Sequence, residues 1–240
     1  MKIKYSSIKN GQYTVEINLE SYQEELQELR LEANQHRNQN PFVSSFKQGI
    51  LKYKSETLLP NRTERDKQEL LFVFGNPAIH SIRGGMFFFS RKDDSRHGMW
   101  SKLNKAGVID QIMSRKPDPF NARREEAEKR KQIILTGKSS SRCLVGMTTF
   151  YSFPTSAEGG VARVEKLFIP VLDEIKKQET ERILSYKFTN EAKLVFVQKS
   201  SYMAFLAKAP RREQNTIFWP IRGQGSSGEE LKKKLKAIMC

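Results

Sequence analysis

The side chains best suited to chemistry in this sequence lie between residues 71 and 90, LFVFGNPAIHSIRGGMFFFS. The hydrophobic residues before Asn76 predict a buried strand that ends at an Asn-Pro turn, and Gly84-Gly85 predicts a loop beyond it. Open α/β sheets bind ligands where such strands end. An amide at a strand tip, followed by the ring of Phe87, suits a planar ring held beside a positioned water. The segment indicates chemistry on a nucleic-acid base, with an ordinary turn and core phenylalanines as the alternative.

A second polar segment, PIRGQGSS at residues 220–227, precedes the last predicted helix. Ser227 and Glu230 have the spacing of a capping box, which predicts a helix that begins at Gly228. Backbone N–H groups at a helix N-terminus bind phosphate, and Arg222 adds a positive charge. The segment predicts a phosphate contact, with an ordinary solvent-exposed loop as the alternative.

Metal and nucleotide sites are not indicated. The histidines at positions 36, 80 and 97 are scattered and have no cysteine or carboxylate at ligand spacing. The two cysteines cannot hold a four-thiolate zinc or iron–sulfur site. The run TGKSSS at 136–141 lacks the first glycine of a phosphate-binding loop and precedes a strand instead of following one. We therefore expect no metal and no cofactor.

Hydrophobic periodicity predicts the elements that position these residues. Strands alternate with helices through most of the chain, which predicts an α/β fold with a mostly parallel, four-stranded sheet covered on both faces. Right-handed crossovers place the carboxyl ends of the strands along one edge, where the chemical residues should gather. The predicted strands are Leu70–Gly75, Cys143–Phe150, Lys193–Gln198 and Thr216–Trp219. The predicted helices are Ser95–Ala106, Val161–Ile183 (kinked or divided at Pro170), Ser200–Ala207 and Gly228–Met239.

The chain is predicted to divide into an N-terminal extension, residues 1–66, packed on an α/β domain, residues 67–240. Within the extension, Lys2–Tyr5 and Tyr13–Leu19 flank an Asn-Gly step and predict a hairpin. Ser21–His36 has helical spacing and predicts a helix.

A basic insert at residues 115–142 interrupts the α/β domain. Its predicted helix carries Arg123 and Arg124. These side chains extend a DNA-facing surface or belong to a solvated charged helix, and the sequence supports both interpretations equally.

Composition limits the class of protein. The 240 residues carry a net charge of +15, and 38% of them are hydrophobic, so the chain can bury a core and attract a polyanion. No apolar run approaches the roughly 20 residues of a membrane span, and the first residues lack the apolar block of a secretory signal. We expect a cytoplasmic, nucleoid-associated monomer whose partner is DNA and not a membrane.

The order of these elements resembles the uracil-DNA glycosylase superfamily, from about Leu70 to Ile238. Asn76-Pro77-Ala78 matches the Asn-Pro-Gly part of the motif that follows the first strand, and Gly84-Gly85-Met86-Phe87 matches the later G-x-P-F motif. The helix GMWSKLNKAGVI is similar to the family's leucine-rich helix with its closing A-G-I step. The resemblance is carried by the order and spacing of these motifs together.

The resemblance implies a three-layer α/β sandwich and a monofunctional DNA glycosylase. Such an enzyme hydrolyses the N-glycosidic bond of a flipped-out damaged or modified base and leaves an abasic site, without a cofactor. Asn76 would orient the attacking water and Phe87 would stack on the base. The remaining base contacts would come from Ala78, His80, Thr148 and Tyr151, and the DNA contacts from Arg222, Gly223, Gln224, Gly225, Ser226, Ser227, Arg123 and Arg124.

The sequence departs from the family at two positions that leave the substrate open. The histidine of the family's H-P-S loop is absent, since no histidine follows His97, and threonines stand where the second strand usually supplies an asparagine. The alternatives for the excised base are a uracil-like base, a different pyrimidine, a deaminated purine and a bulkier modified cytosine like those in some phage genomes. The alternatives for the biological purpose are DNA repair and attack on foreign modified DNA. A non-catalytic nucleic-acid-binding protein and a hydrolase of free nucleosides are the other classes considered.

Overall fold

The computed structural model describes residues 1–22, 24–39, 44–61, 66–88, 98–110, 120–155 and 160–239. Of residues 36–39, 120–123 and 238–239 it describes the backbone alone. The side chain predicted for DNA contact at Arg123, the first part of the basic insert (115–119) and the predicted helical residues 95–97 lie outside this description.

The N-terminal residues form an antiparallel sheet and one helix. Strands β1 (Lys2–Tyr5), β2 (Gln12–Asn18), β3 (Ser44–Lys47) and β4 (Ile50–Glu56) lie in the order β1-β2-β4-β3. The predicted hairpin is confirmed as β1 and β2. The helix α1 (Gln27–Gln39) begins six residues later than predicted, because a 3-10 turn at 20–22 precedes it. The strands β3 and β4, which double the size of this sheet, were not predicted from the sequence.

The rest of the chain contains a second sheet, which has four parallel strands. Strands β5 (Gln68–Phe74), β6 (Cys143–Thr149), β7 (Lys193–Phe196) and β8 (Thr216–Phe218) lie in the order β6-β5-β7-β8. The chain is therefore of mixed α/β class, as predicted. The parallel registers align Phe74 with Thr149 and Phe196 with Phe218, so the carboxyl ends of all four strands share one edge.

Six α-helices of the described residues lie between these strands along the chain, and a seventh follows β8. They are α2 (Ile79–Gly84), α3 (Met99–Lys105), α4 (Phe120–Leu135), α5 (Gly160–Leu167), α6 (Leu172–Ser185), α7 (Lys199–Lys208) and α8 (Gly228–Met239). Pro170 divides α5 from α6 through a 3-10 turn, as predicted. The helix α2 lies where the sequence predicted only a loop, so that prediction was wrong. None of the helices in the described residues is long and apolar enough to cross a membrane.

Apolar side chains of β5 point alternately into two hydrophobic clusters. Leu71 and Val73 pack with residues of α5, α6 and α7 and with Val15 of the N-terminal sheet. Leu70 and Phe72 pack with residues of α3, α4 and α8. A strand buried on both faces has a continuous apolar sequence, which explains the run LLFVF.

Candidate functional site

The order of the parallel strands changes direction between β5 and β7. The chain leaves β5 for β6 on one side, then returns to β7 on the other side and continues outward to β8. Ligands of open α/β sheets bind outside the carboxyl ends of the strands at such a reversal. Asn76 follows β5 and Gln198 follows β7, so both residues lie at this point of the sheet edge.

Asn76 is held by its amide nitrogen. The Nδ2 atom donates hydrogen bonds to Oγ1 of Thr155, at 2.8 Å, and to the carbonyl oxygen of Pro77, at 3.2 Å. Within the described residues, Oδ1 of Asn76 has no hydrogen-bond partner. The half-buried side chain therefore presents a fixed acceptor, which can orient a water but cannot act as a strong base.

Two chain segments run side by side beyond the strand ends and position this amide. Phe150 N donates to Phe74 O at 2.6 Å, and Tyr151 N donates to Gly75 O at 2.8 Å. Further along, Thr155 N donates to Pro77 O, and Ile79 N donates to Thr155 O, each at 3.2 Å. Ala78 forms an isolated parallel bridge with Thr155 and precedes α2. The turn that carries Asn76 is thereby tied to the segment that follows β6.

Gln198 also lies at this edge, and the sequence did not predict it as a site residue. A Cβ atom on Gly75 would lie 2.9 Å from Cγ of Gln198 and 2.3 Å from Cγ2 of Val161. The side chain of Gln198 therefore crosses directly over Gly75, beside Asn76. Gln198 could have been predicted from the sequence, because it ends the third predicted strand and so lies on the predicted edge.

Phe87 lies in the hydrophobic core in this structure. Its side chain is 3% exposed and belongs to the cluster of α3, α4 and α8. Its ring centroid is 5.4 Å from that of Phe74, whereas Phe88, which is half-buried, packs edge-on against Phe74 at 4.8 Å. The predicted stacking of Phe87 on a base stays a prediction, and it requires this ring to leave its core contacts.

The polar atoms of Thr148 and Tyr151 are also turned inward. Both residues are fully buried. Oγ1 of Thr148 accepts a hydrogen bond from Arg182 at 3.2 Å, and the hydroxyl of Tyr151 donates to Glu165 at 2.8 Å. Burial and the neighbouring Glu165 carboxylate both raise the pKa of the Tyr151 phenol. These two residues have protein partners, so their reading of a base edge stays a prediction.

His80 has a different setting from the buried residues. It is exposed in the first turn of α2, four residues beyond Asn76. The imidazole of His80 is therefore exposed to solvent, on the helix that follows the Asn-Pro turn. Its contact with a base stays a prediction.

The loop after β8 lies on the same sheet edge and is anchored by α3. Arg222 and Gln224 are exposed, and Gly223 and Gly225 have φ angles of +80° and +75°. The backbone N–H of Glu230 donates to Oγ of Ser227 at 3.1 Å, which confirms the predicted cap. The anchoring residue of α3 is Lys102, and no local sequence pattern predicted it as a part of this loop site.

Lys102 and Arg222 make this loop electropositive. The ammonium group of Lys102 donates to Ile221 O at 2.5 Å and to Oγ of Ser226 at 3.2 Å. Burial, and then the charge of Arg222, lower the pKa of Lys102. Within the part of the chain that the structure describes, neither cation pairs with a carboxylate. Two neighbouring cations without an acidic partner form a candidate site for a phosphate anion.

The helix of the basic insert divides its charges between the interior and the surface. Arg130 is buried under the ring of Trp100, 4.9 Å from the ring centroid, and pairs with Glu126. Lys131 is buried and pairs with Glu128 at 2.5 Å. Arg124 is exposed. At least two of the basic residues thus pack in the interior, and the DNA contact of the exposed Arg124 stays a prediction.

A buried polar network centred on Glu179 and Arg182 holds the segment after β6 in place through hydrogen bonds. Oε1 of Glu179 accepts a hydrogen bond from Ser152 N at 2.7 Å, and Oε2 accepts one from Nε of Arg182 at 2.6 Å. The guanidinium also donates to the carbonyl oxygens of Thr149 and Phe150, at 2.5 and 3.2 Å. The hydroxyl groups of Tyr53 and Ser152 are 2.8 Å apart and join the N-terminal sheet to this network.

The site combines a positioned amide with a cationic loop on one sheet edge. Among the described residues, no three histidine, cysteine, aspartate or glutamate side chains come together to hold a metal. No family model matches the chain, and no curated protein matches it. The arrangement can orient water, bind an anion and stabilise charge by fixed dipoles.

Proposed function

We propose that this protein is a DNA glycosylase that hydrolyses the N-glycosidic bond of a flipped-out damaged or modified base and leaves an abasic site. The observation that carries the proposal is the geometry of Asn76 at the reversal of strand order. Its amide nitrogen is bound by Thr155 and Pro77, so its oxygen is the atom that remains for a water. The net charge of +15 supports a polyanionic substrate.

The proposed reaction depends on positioning and electrostatics. The bond between C1′ and the base nitrogen breaks, the electron pair leaves with the base, and the sugar becomes oxocarbenium-like. A water held by Oδ1 of Asn76 adds to C1′ and its proton passes to solvent or to the departing base. Since a neutral amide cannot deprotonate water, the enzyme would act mainly by orienting the water and stabilising developing charge.

The proposed DNA contact is the loop of residues 220–227. Arg222 and Lys102 have no carboxylate partner within the described residues, and this loop precedes α8 on the edge that carries Asn76. A phosphate bound here would hold the DNA backbone beside the flipped base. The exposed residue Arg124 would extend this footprint.

The proposed architecture is a three-layer sandwich. Residues of α5, α6 and α7 cover one face of the parallel sheet, and residues of α3, α4 and α8 cover the other. With both faces covered, a ligand would bind at an edge of the sheet, and open α/β sheets bind ligands at the carboxyl edge.

A base-release assay tests the activity. The full chain is incubated with duplex and single-stranded DNA that contains uracil or one of several modified pyrimidines, and abasic sites are cleaved by alkali. We expect strand cleavage at the modified position, and a loss of about 100-fold or more for Asn76→Ala, as for removal of a positioning group. Asn190→Ala, at the opposite edge of the sheet, is the matched control and should keep the wild-type rate. Full activity of Asn76→Ala contradicts the role of the amide.

A non-catalytic nucleic-acid-binding protein is the second candidate. It is favoured by the burial of Phe87, Thr148 and Tyr151, which leaves fewer polar and aromatic groups for a base. Salt-sensitive binding to modified or abasic DNA, without base release from any substrate of the panel, would support this function instead.

A further inference from the structure

We infer that Thr155 is a positioning residue that sets which end of the Asn76 amide faces the reaction site. The inference rests on the proposed function, because it assigns the oxygen of Asn76 to a water. It adds a residue that neither the motif pattern nor the comparison of sequences selected. Thr155 lies 79 residues away from Asn76 in the chain, yet its hydroxyl oxygen is 2.8 Å from Nδ2.

The chemistry of the two partners determines the orientation of the amide. The carbonyl oxygen of Pro77 can only accept a hydrogen bond, so the amide atom that faces it must be the NH₂ group. The hydroxyl of Thr155 accepts from the same nitrogen at the shorter distance. Two acceptors therefore hold the NH₂ end, and Oδ1 must point away from both of them.

Thr155 is itself held in place, which makes it an effective partner. It is 1% exposed, and its backbone both donates to Pro77 O and accepts from Ile79 N. Three residues earlier, Ser152 is anchored by its backbone N–H to the buried carboxylate of Glu179. The backbone of Thr155 is thus held against residues 77–79 by two hydrogen bonds, and the segment before it is anchored at Ser152.

Removal of this hydroxyl should release the amide. Among the described residues, the 3.2 Å bond to the carbonyl oxygen of Pro77, the next residue in the chain, would be the one hydrogen bond left to orient the Asn76 side chain. The amide could then rotate, and for part of the time its NH₂ group would face the water instead of the acceptor Oδ1. Loss of orientation lowers the rate of the chemical step more than the affinity for substrate.

Matched substitutions test the inference by kinetics. Thr155→Val removes the hydroxyl at nearly constant volume, and Thr155→Ser keeps it. We expect Thr155→Val to lower kcat about tenfold with KM changed less than about twofold, and Thr155→Ser to stay within about threefold of wild type. In the Asn76→Ala background, Thr155→Val should cause no further loss, because its effect passes through the amide. Equal losses for Val and Ser, or a full additional loss in the double variant, would overturn the inference.

A spectroscopic measurement tests the positioning role of Thr155 even if no DNA substrate is cleaved. The side-chain NH₂ signals of Asn76, assigned by comparison with Asn76→Ala, are followed by NMR in the ¹⁵N-labelled full chain. We expect slowed exchange with water in wild type and Thr155→Ser, and an increase of about tenfold in the exchange rate in Thr155→Val. Unchanged signals in Thr155→Val overturn the positioning role. Absence of base release with the expected signals rejects the proposed activity alone.

Discussion

Neutralisation of Glu179 is the perturbation whose effect follows most directly from the structure. Its carboxylate lies in the interior and accepts hydrogen bonds from Ser152 N, the Ser152 hydroxyl and Nε of Arg182. Among the described residues, it is the carboxylate that pairs with the buried guanidinium of Arg182. Glu179→Gln keeps the shape of the side chain and removes the charge.

The magnitude follows from the charge that is left behind. Arg182 keeps its bonds to Thr148 and to two carbonyl oxygens, but its positive charge stays buried without a counter-ion. Breaking a buried ion pair in this way costs about 3–5 kcal/mol. Because a domain is stable by only about 5–15 kcal/mol, the variant should lose a large fraction of its free energy of unfolding.

Urea unfolding at pH 7 measures this loss. The midpoint should fall while the slope with denaturant stays unchanged, and the melting temperature should fall by about 6–20 °C at roughly 2–4 °C per kcal/mol. Glu181→Gln is the control, since Glu181 is exposed on the same helix and should change stability by less than about 0.5 kcal/mol. A Glu179→Gln variant as stable as Glu181→Gln would refute the view that this ion pair holds the segment after β6.

Three further predictions concern DNA binding, pH dependence and helix packing. Arg222→Gln should weaken DNA binding and reduce the slope of log Kd against log salt concentration by about 1, whereas the exposed Arg211→Gln, at the amino edge of the sheet, should leave both unchanged. Burial raises the pKa of Glu56 from 4.5 to about 8, so the folded chain keeps a proton that the unfolded chain releases, and stability should fall as pH rises from about 5 to 8. Urea titrations across this range should show that fall in wild type and a smaller one in Glu56→Gln; an equal fall in both would exclude Glu56 as its source. Gly228→Ala would bring Cβ to 2.5 Å from Lys102 O and should destabilise the chain by about 1–3 kcal/mol in thermal unfolding, so an unchanged melting temperature would contradict the close approach of α3 and α8.

The residues predicted for the site lie in different surroundings because their positions depend on different kinds of information. Asn76 and the loop of Arg222 follow strand ends, and a parallel sheet brings all such ends to one edge regardless of detail. Thr148 and Tyr151 were selected by their nearness to a strand end alone. Since β6 and the residues after it are buried throughout, their polar atoms turn to internal partners such as Arg182 and Glu165.

The partners that complete the site come from distant parts of the chain. Thr155 binds Asn76 across 79 positions, and Lys102 binds the carbonyl of Ile221 across 119. No local pattern marks either residue, because their spacing reflects which segments the fold brings together. Gln198 was accessible to prediction through its place at the end of a predicted strand, but its contact with Gly75 was not.

The amino-acid sequence by itself determined the four strands of the parallel sheet, their order along the chain and the edge where they end. Those features depend on apolar runs, on breaks at proline and glycine and on the handedness of crossovers, which act within a short stretch of chain. The tertiary structure alone decided that Phe87 lies in the core, that residues 79–84 form the helix α2 and that the hydroxyl of Thr155 accepts a hydrogen bond from Asn76. After the last residue that pairs with a neighbouring strand, no repeating hydrogen-bond ladder sets the direction of the side chains. Contacts with distant segments of the chain therefore set it.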